Sequence, residues 1–238
     1  MLAGRLLVIV DDPAALAEAA LARLVRQIAT SERDAAICLT GGSTPKLAYE
    51  IASRAGADWS RATIWFSDER CVEPESGLSN VRMATDALLG RIMRDQRPAV
   101  MRMEGELGPD AGAAAYEALV REHLGASPRW DLFLLGLGPD AHCASLFPGK
   151  PEVEERQRLV TGVQLAGMEP QVPRISLTIP AINGARHVVF LVTGKDKAKA
   201  VERAFGDPPD PTSPGAHVRP SAGELTVILD EAAAGGLR

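Results

Sequence analysis

Short apolar runs of strand length alternate along the chain with longer stretches in which apolar residues recur every three to four positions. This is the pattern of a parallel sheet covered by helices, an α/β chain. The first run is Leu6 to Val10. Asp12 then stands where a helix cap belongs and Pro13 where a helix opens, and Leu16, Ala20, Leu24 and Ile28 fall on one face. Further strands are predicted at Ala36 to Leu39, Thr63 to Phe66, Leu132 to Leu135, Ile175 to Ile179, Val188 to Val192 and Leu225 to Leu229, with a strand-like run at Arg158 to Val163. Helices are predicted from Thr44 to Ile51, from about Asn80 to Ile92, from about Asp110 to Leu124, and in the Lys-rich segment after Gly194. The Pro-rich segment Pro208 to Pro220 reads as a surface loop.

Composition narrows the class. The 238 residues are 46% apolar, enough for a sizeable core, and the pattern is expected to form a single α/β domain over 1–238. With 31 acidic and 26 basic side chains the formal net charge is -5, and no Lys/Arg block stands out, which disfavours an electrostatic nucleic-acid partner. No stretch approaches the ~20 apolar residues of a spanning helix. The N-terminal apolar run is too short for a secretory core and is followed by acids, so no membrane partner is expected. Cys38, Cys71 and Cys143 are odd in number and widely spaced, giving no disulfide framework and no CxxC pair. A cytoplasmic monomer or small homo-oligomer is the expectation.

In an open parallel sheet, ligands bind beyond the carboxyl ends of the strands. Four polar segments each follow a predicted strand: Thr40 to Thr44, Ser67 to Arg70, Gly136 to His142 and Thr193 to Lys197. They are expected to meet on one edge. In the first, Gly42, Ser43 and Thr44 stand at a helix start, where unpaired N–H groups favour an anion, although a GG pair before a capped helix is commonly only a tight turn. Lys197 lies in the first turn of a predicted helix, where a cation is unfavourable without an anion opposite; alternatively Lys195, Lys197 and Lys199 are a solvated face. Arg70 has a fork suited to phosphate or to a developing oxyanion, or simply pairs with Asp68 or Glu69.

Gly136 to His142 has formal G-x-G-x-x-A spacing, but Pro139 removes a backbone donor, Phe147-Pro148-Gly149 would stop a following helix after about two turns, and Arg158 to Val163 ends without an acid for a ribose. A dinucleotide site is therefore disfavoured. No Walker A lysine, G-x-S-x-G elbow or HExxH occurs, and no metal or cofactor is expected. Asp140 and His142 remain, in a Gly/Pro turn beyond a buried strand; an imidazole is suited to take a proton from water at neutral pH. Cys143 carries little weight as a nucleophile, since adjacent side chains rarely face each other, and His123, His187 and His217 read as structural or surface residues.

Taken together, Leu39-Thr40-Gly41-Gly42-Ser43-Thr44-Pro45, Phe66-Ser67-Asp68-Glu69-Arg70 with Ser79-Asn80, the stretch Leu135 to Gly149, and Arg174-Ile175-Ser176-Leu177-Thr178 with Gly194 and Lys197 resemble the 6-phosphogluconolactonase branch of the glucosamine-6-phosphate isomerase/6-phosphogluconolactonase family. The likeness extends from near residue 1 to Leu229-Asp230-Glu231-Ala232-Ala233. It implies a modified Rossmann-like, mostly parallel doubly wound sheet with helices on both faces. It also implies hydrolysis of a small phosphorylated sugar lactone, 6-phospho-D-glucono-1,5-lactone, in the second step of the oxidative pentose phosphate pathway, without metal or organic cofactor. By the same resemblance His142 is the acid/base, and Gly42, Ser43, Arg70 and Lys197 hold the phosphate, with Arg174 a further candidate.

Two departures stand out: Ala141 where the family usually has Gly, and Cys143 where it often has Thr. If position 141 needs positive φ, alanine costs of order 1 kcal/mol there. The expected mechanism is direct attack of water on the lactone carbonyl, with His142 taking and returning a proton and Asp140 positioning the imidazole, the water or a sugar hydroxyl. The rivals are a glucosamine-6-phosphate isomerase/deaminase, which would suit a different sequence after His142, and a non-catalytic sugar-phosphate sensor.

Overall fold

The computed structural model describes residues 5–31 and 34–237. In chain order the elements are strand β1 (Arg5–Val10), helix α1 (Pro13–Thr30), β2 (Ala35–Leu39), α2 (Ser43–Ala52), β3 (Ala62–Phe66) and β4 (Asp68–Arg70). There follow α3 (Asn80–Ala87), β5 (Ala99–Val100), α4 (Pro109–Leu124), β6 (Leu132–Leu135), β7 (Val160–Val163) and β8 (Arg174–Leu177). The chain closes with α5 (Ile179–Asn183), β9 (His187–Val192), α6 (Ala198–Phe205), β10 (Glu224–Asp230) and α7 (Glu231–Ala234).

Seven strands form one sheet in the order β1-β10-β9-β6-β2-β3-β5, and every pairing in it is parallel. The central strands are apolar without interruption because both of their faces are covered. Along β6, Leu132 and Leu134 join the core formed with α1, α2 and α3, whereas Phe133 and Leu135 join the opposite core beneath α4, α5 and α6. The same alternation divides Val189 and Leu191 from Val188, Phe190 and Val192 along β9. Helices on both faces of a parallel sheet make the fold doubly wound, as expected.

Local signals act where the sequence placed them. Asp12 caps α1 by accepting from Ala15 N at 2.8 Å, and Leu16, Ala20, Leu24 and Ile28 are all buried. Other expectations are corrected. Ile175 to Ile179 is not a strand of the main sheet: its residues 175–177 belong to β8 in a separate antiparallel sheet, β4-β8-β7, and Ile179 opens α5 under a Thr178 cap. The segment Asp68 to Arg70 is the strand β4 of that small sheet rather than a loop. The helix expected to run to Ile92 ends at Ala87 and continues only as a 3-10 turn over Leu89–Arg91. No helix follows Gly138. Ala141 and Ala144 take positive φ of 68° and 49°, which stops helical propagation and leaves a compact turn with a bridge between Cys143 and Leu146.

Candidate functional site

The carboxyl ends of β2, β3, β6 and β9 lie along one edge of the sheet, and the segments following them enclose a cleft of about 210 Å³. Gly42, Ser43, Thr44, Arg70, Lys197 and His142 all line it, as does Arg174 from the small sheet. Every predicted binding residue is thus brought to one place. Asp140 stands behind His142.

The seat at one end begins with α2. Gly42 precedes it with φ of 111°, a conformation suited to glycine, so the chain turns sharply and leaves the N–H groups of the first helical turn without intrahelical acceptors. The Thr44 hydroxyl is 2.7 Å from that of Thr193, tying the start of α2 to the segment after β9. Lys197 lies in a 3-10 turn, Lys195–Lys197, just before α6. Its ammonium is 3.8 Å from the exposed Asp196 carboxylate, a loose contact that leaves the charge available to the cleft.

Two guanidinium groups complete the cationic wall. Arg70 donates from Nη1 to the Leu78 carbonyl at 2.6 Å, while its buried Nε has no hydrogen-bond partner among the described residues. The expected pairing of Arg70 with a neighbouring carboxylate is limited to its backbone N–H, which donates to Glu69 Oε1 at 2.7 Å. Arg174, only 4% exposed, donates to the carbonyls of Pro170 at 2.9 Å and Val172 at 3.3 Å and lies over the Phe147 ring. Burial and then the charge of Arg70 push its guanidinium below the ordinary value. Two such groups side by side favour an anion between them.

At the other end, the turn after β6 presents the imidazole. His142 Nδ1 is 2.6 Å from Asp140 Oδ1, and the His142 backbone N–H donates to the same oxygen at 3.2 Å. Burial pushes the Asp140 carboxyl up, but the hydrogen bonds and charge of His142 outweigh it and hold the group below the usual carboxylate range. A charged Asp140 accepts from Nδ1–H, which leaves Nε2 as the ring's lone-pair nitrogen. Phe147 packs on the imidazole with ring centroids 4.6 Å apart. The turn closes through Gly138 N to His142 O at 2.9 Å, and a Cβ on Gly138 would overlap the imidazole. That position needs glycine for space.

Several lining residues were not singled out by sequence. Asp68, 5% exposed, accepts from Ser67 Oγ at 2.7 Å and Ser145 Oγ at 2.8 Å, and its carbonyl accepts from Asn80 Nδ2 at 2.9 Å. Asn80, Thr193 and the Met168-Glu169 pair also line the cleft. Glu69 serves the scaffold: its carboxylate accepts from Asn80 N, Val81 N, Ser79 Oγ and Arg70 N, holding the start of α3. The Cys143 thiol is buried and thereby pushed up to about 12, so it is not a thiolate at neutral pH. Of the other imidazoles, His123 bonds Leu119 O, His187 pairs with Glu224 and His217 bonds Pro211 O, all away from the cleft. Among the described residues no group of three or more His, Cys, Asp or Glu is placed to hold a metal ion.

A profile of the family described as Glucosamine-6-phosphate isomerases/6-phosphogluconolactonase matches residues 11–227. The 6-phosphogluconolactonase of Streptomyces coelicolor is 40% identical over 247 residues, spanning 97% of this chain and 94% of that protein. The 6-phosphogluconolactonase of Homo sapiens is 34% identical over 228 residues, spanning 91% and 88%. Among solved structures, 6-phosphogluconolactonase from Trypanosoma cruzi superposes with a TM-score of 0.87 at 31% identity, covering 98% of this chain and 97% of that one.

Proposed function

The chain belongs to the glucosamine-6-phosphate isomerase/6-phosphogluconolactonase family, and on that premise we propose that it hydrolyses 6-phospho-D-glucono-1,5-lactone to 6-phosphogluconate, in the pentose phosphate pathway, with His142 as general base. The observation that carries the proposal is the single cleft with a carboxylate-oriented imidazole at one end and Ser43, Arg70, Arg174 and Lys197 at the other. The lactonase reading is favoured over the isomerase/deaminase because the relatives spanning nearly the whole chain at 34–40% identity are lactonases.

In this mechanism the phosphate docks against the first turn of α2, Lys197 and the guanidinium pair. That fixes the ring so that its C1 carbonyl lies near His142. His142 Nε2 takes a proton from water as the oxygen bonds to C1, giving a tetrahedral oxyanion and an imidazolium whose charge Asp140 stabilises. Collapse of the oxyanion breaks the bond from C1 to the ring oxygen, and the imidazolium returns its proton to that oxygen. The ester is already reactive, so orientation and proton transfer supply most of the acceleration. No covalent enzyme intermediate is needed.

The proposed substrate is a small molecule, and neither nucleic acid nor membrane is part of the reading; a monomer or small homo-oligomer in the cytoplasm is the setting. Among the described residues all three cysteines are free and no helix is long and apolar enough to cross a membrane. The test is a short-time assay with freshly generated phosphogluconolactone scored against spontaneous ring opening. Turnover well above the uncatalysed rate is expected. Ammonia release from glucosamine 6-phosphate would place the chain in the other branch, and tight 6-phosphogluconate binding without turnover would make it a sensor.

A further inference from the structure

The turn that presents His142 is braced from outside the cleft by a residue that does not line it. Arg203 lies on α6, the helix that starts immediately after Lys197. Its Nη1 donates to the Asp140 carbonyl at 3.1 Å, its Nε to Asp210 Oδ2 at 2.8 Å and its Nη2 to Thr212 Oγ1 at 3.3 Å. Asp210 N returns a bond to the Arg203 carbonyl at 2.7 Å, and Asp210 Oδ1 takes the N–H and hydroxyl of Thr212. The loop then runs on to Gly215, whose N–H donates to the Ala141 carbonyl at 3.0 Å.

Two consecutive carbonyls of the turn, those of Asp140 and Ala141, are therefore each held by a donor rooted in α6 or in the loop after it. The two peptide planes carrying them flank the Cα of Ala141, whose φ is 68°. An L residue leaves this conformation readily unless its neighbours fix both planes. The imidazole is attached to the next residue, so a relaxation at Ala141 swings it directly.

We propose that Arg203 is a positioning residue for the lactonase reaction, locking the turn so that the His142 imidazole stays aimed at the lactone carbonyl. The proposal rests on the reading of His142 as the base. Arg203 uses three separate nitrogens at fixed angles, a task for a planar fork that an ammonium does not reproduce. Thr212 and Arg203 hold the Asp210 carboxyl down at about 2, so its end of the brace stays charged at any pH where the enzyme is assayed. The α6 helix itself is anchored by buried Ala200, Val201, Ala204 and Phe205, so losing the guanidinium leaves Lys197 in place. Along α6, at 1.5 Å per residue, Arg203 lies about 9 Å from Lys197, so the brace and the phosphate-end cation are carried by one continuous segment.

The test is a double-mutant cycle with Arg203→Gln and His142→Ala, read as kcat and KM separately. Arg203→Gln is expected to lower kcat by roughly 10- to 100-fold, the scale of a misplaced catalytic group, with KM changed less than about threefold. In the His142→Ala background the same substitution should have no further effect on kcat. Arg203→Lys is expected to recover little, and added guanidinium ion at low millimolar concentration should restore part of the kcat of Arg203→Ala. An equal loss in both backgrounds, or a loss confined to KM, overturns the positioning role. Unchanged turnover in His142→Ala alone overturns the base assignment instead. Should the Arg203 variants fail to fold, Asp210→Asn loosens the same brace, and its kcat loss must likewise vanish without His142.

Discussion

His142 Nδ1 and Asp140 Oδ1 lie 2.6 Å apart across a single tight turn. The short separation and the lowered Asp140 carboxyl fix the tautomer that puts a lone pair on Nε2. Asp140→Asn keeps the shape but offers an amide that no longer stabilises the imidazolium. It is expected to lower kcat on the order of 10²-fold or more, with a small effect on KM. A kcat unchanged in Asp140→Asn would show that the carboxylate neither orients nor stabilises the imidazole.

Lys197 offers its charge to the cleft at a distance from the proposed reacting atoms, so its contribution is mainly to binding. Lys197→Ala removes one charge-assisted contact worth about 1.5–3 kcal/mol, and KM should rise by roughly 10- to 100-fold. Steady-state kinetics at two salt concentrations check this, since the wild-type KM should climb with salt more steeply than that of the variant. A fall in kcat with KM unmoved would contradict the assignment.

Ala141 holds φ of 68°, a left-handed conformation that favours glycine. The left-handed conformation costs an alanine about 1–2 kcal/mol. Against this, the methyl is fully buried in the core beneath α4 and α6, which contributes about 0.8 kcal/mol, and glycine loses a further ~0.4–1 kcal/mol of chain entropy on folding. The terms nearly cancel. Ala141→Gly should therefore shift the unfolding free energy by less than about 1 kcal/mol, measured by denaturant titration, with kcat within a few-fold of wild type. A large gain in kcat would mean that alanine distorts the turn.

Glu69 is a carboxylate with four donors and, among the described residues, no cation at its oxygens. Burial pushes it above the usual carboxylate range while those four donors pull the other way. Glu69→Gln would set an NH2 against two of them and is expected to destabilise the fold by about 1–3 kcal/mol. The midpoint of chemical unfolding should fall with an unchanged slope. Equal stability of the variant would show that the start of α3 is held by other means.

What the sequence could and could not reveal follows from where each pattern is decided. Strands β2, β3, β6 and β9 are legible because burial on both faces leaves an unbroken apolar run, and the polar segment after each then falls on one sheet edge by topology alone. Asp140 and His142 stand out as a base and its partner in a turn following a buried strand. The β4-β8-β7 sheet is not legible in the same way. Asp68-Glu69-Arg70 has no apolar alternation and is a strand only because Ser176, Ile175 and Arg174 pair with it. Ile175 to Ile179 carries the right apolar signal but is cut by the Thr178 cap and Pro180. Asp68 and Asn80 stand in the motifs that carry the resemblance yet acquire no role there, and Arg203 is not marked at all, because the contacts that matter are remote in sequence: Ser145 for Asp68 and the Asp140 carbonyl for Arg203.

The measurement that bears most directly on the whole account is the kinetics of His142→Ala on fresh phosphogluconolactone, paired with its affinity for 6-phosphogluconate. The geometry predicts a kcat lower by roughly 10² to 10⁴ while the product still binds with near wild-type affinity, because the phosphate seat is untouched. A folded His142→Ala protein that turns over at close to the wild-type rate would contradict it.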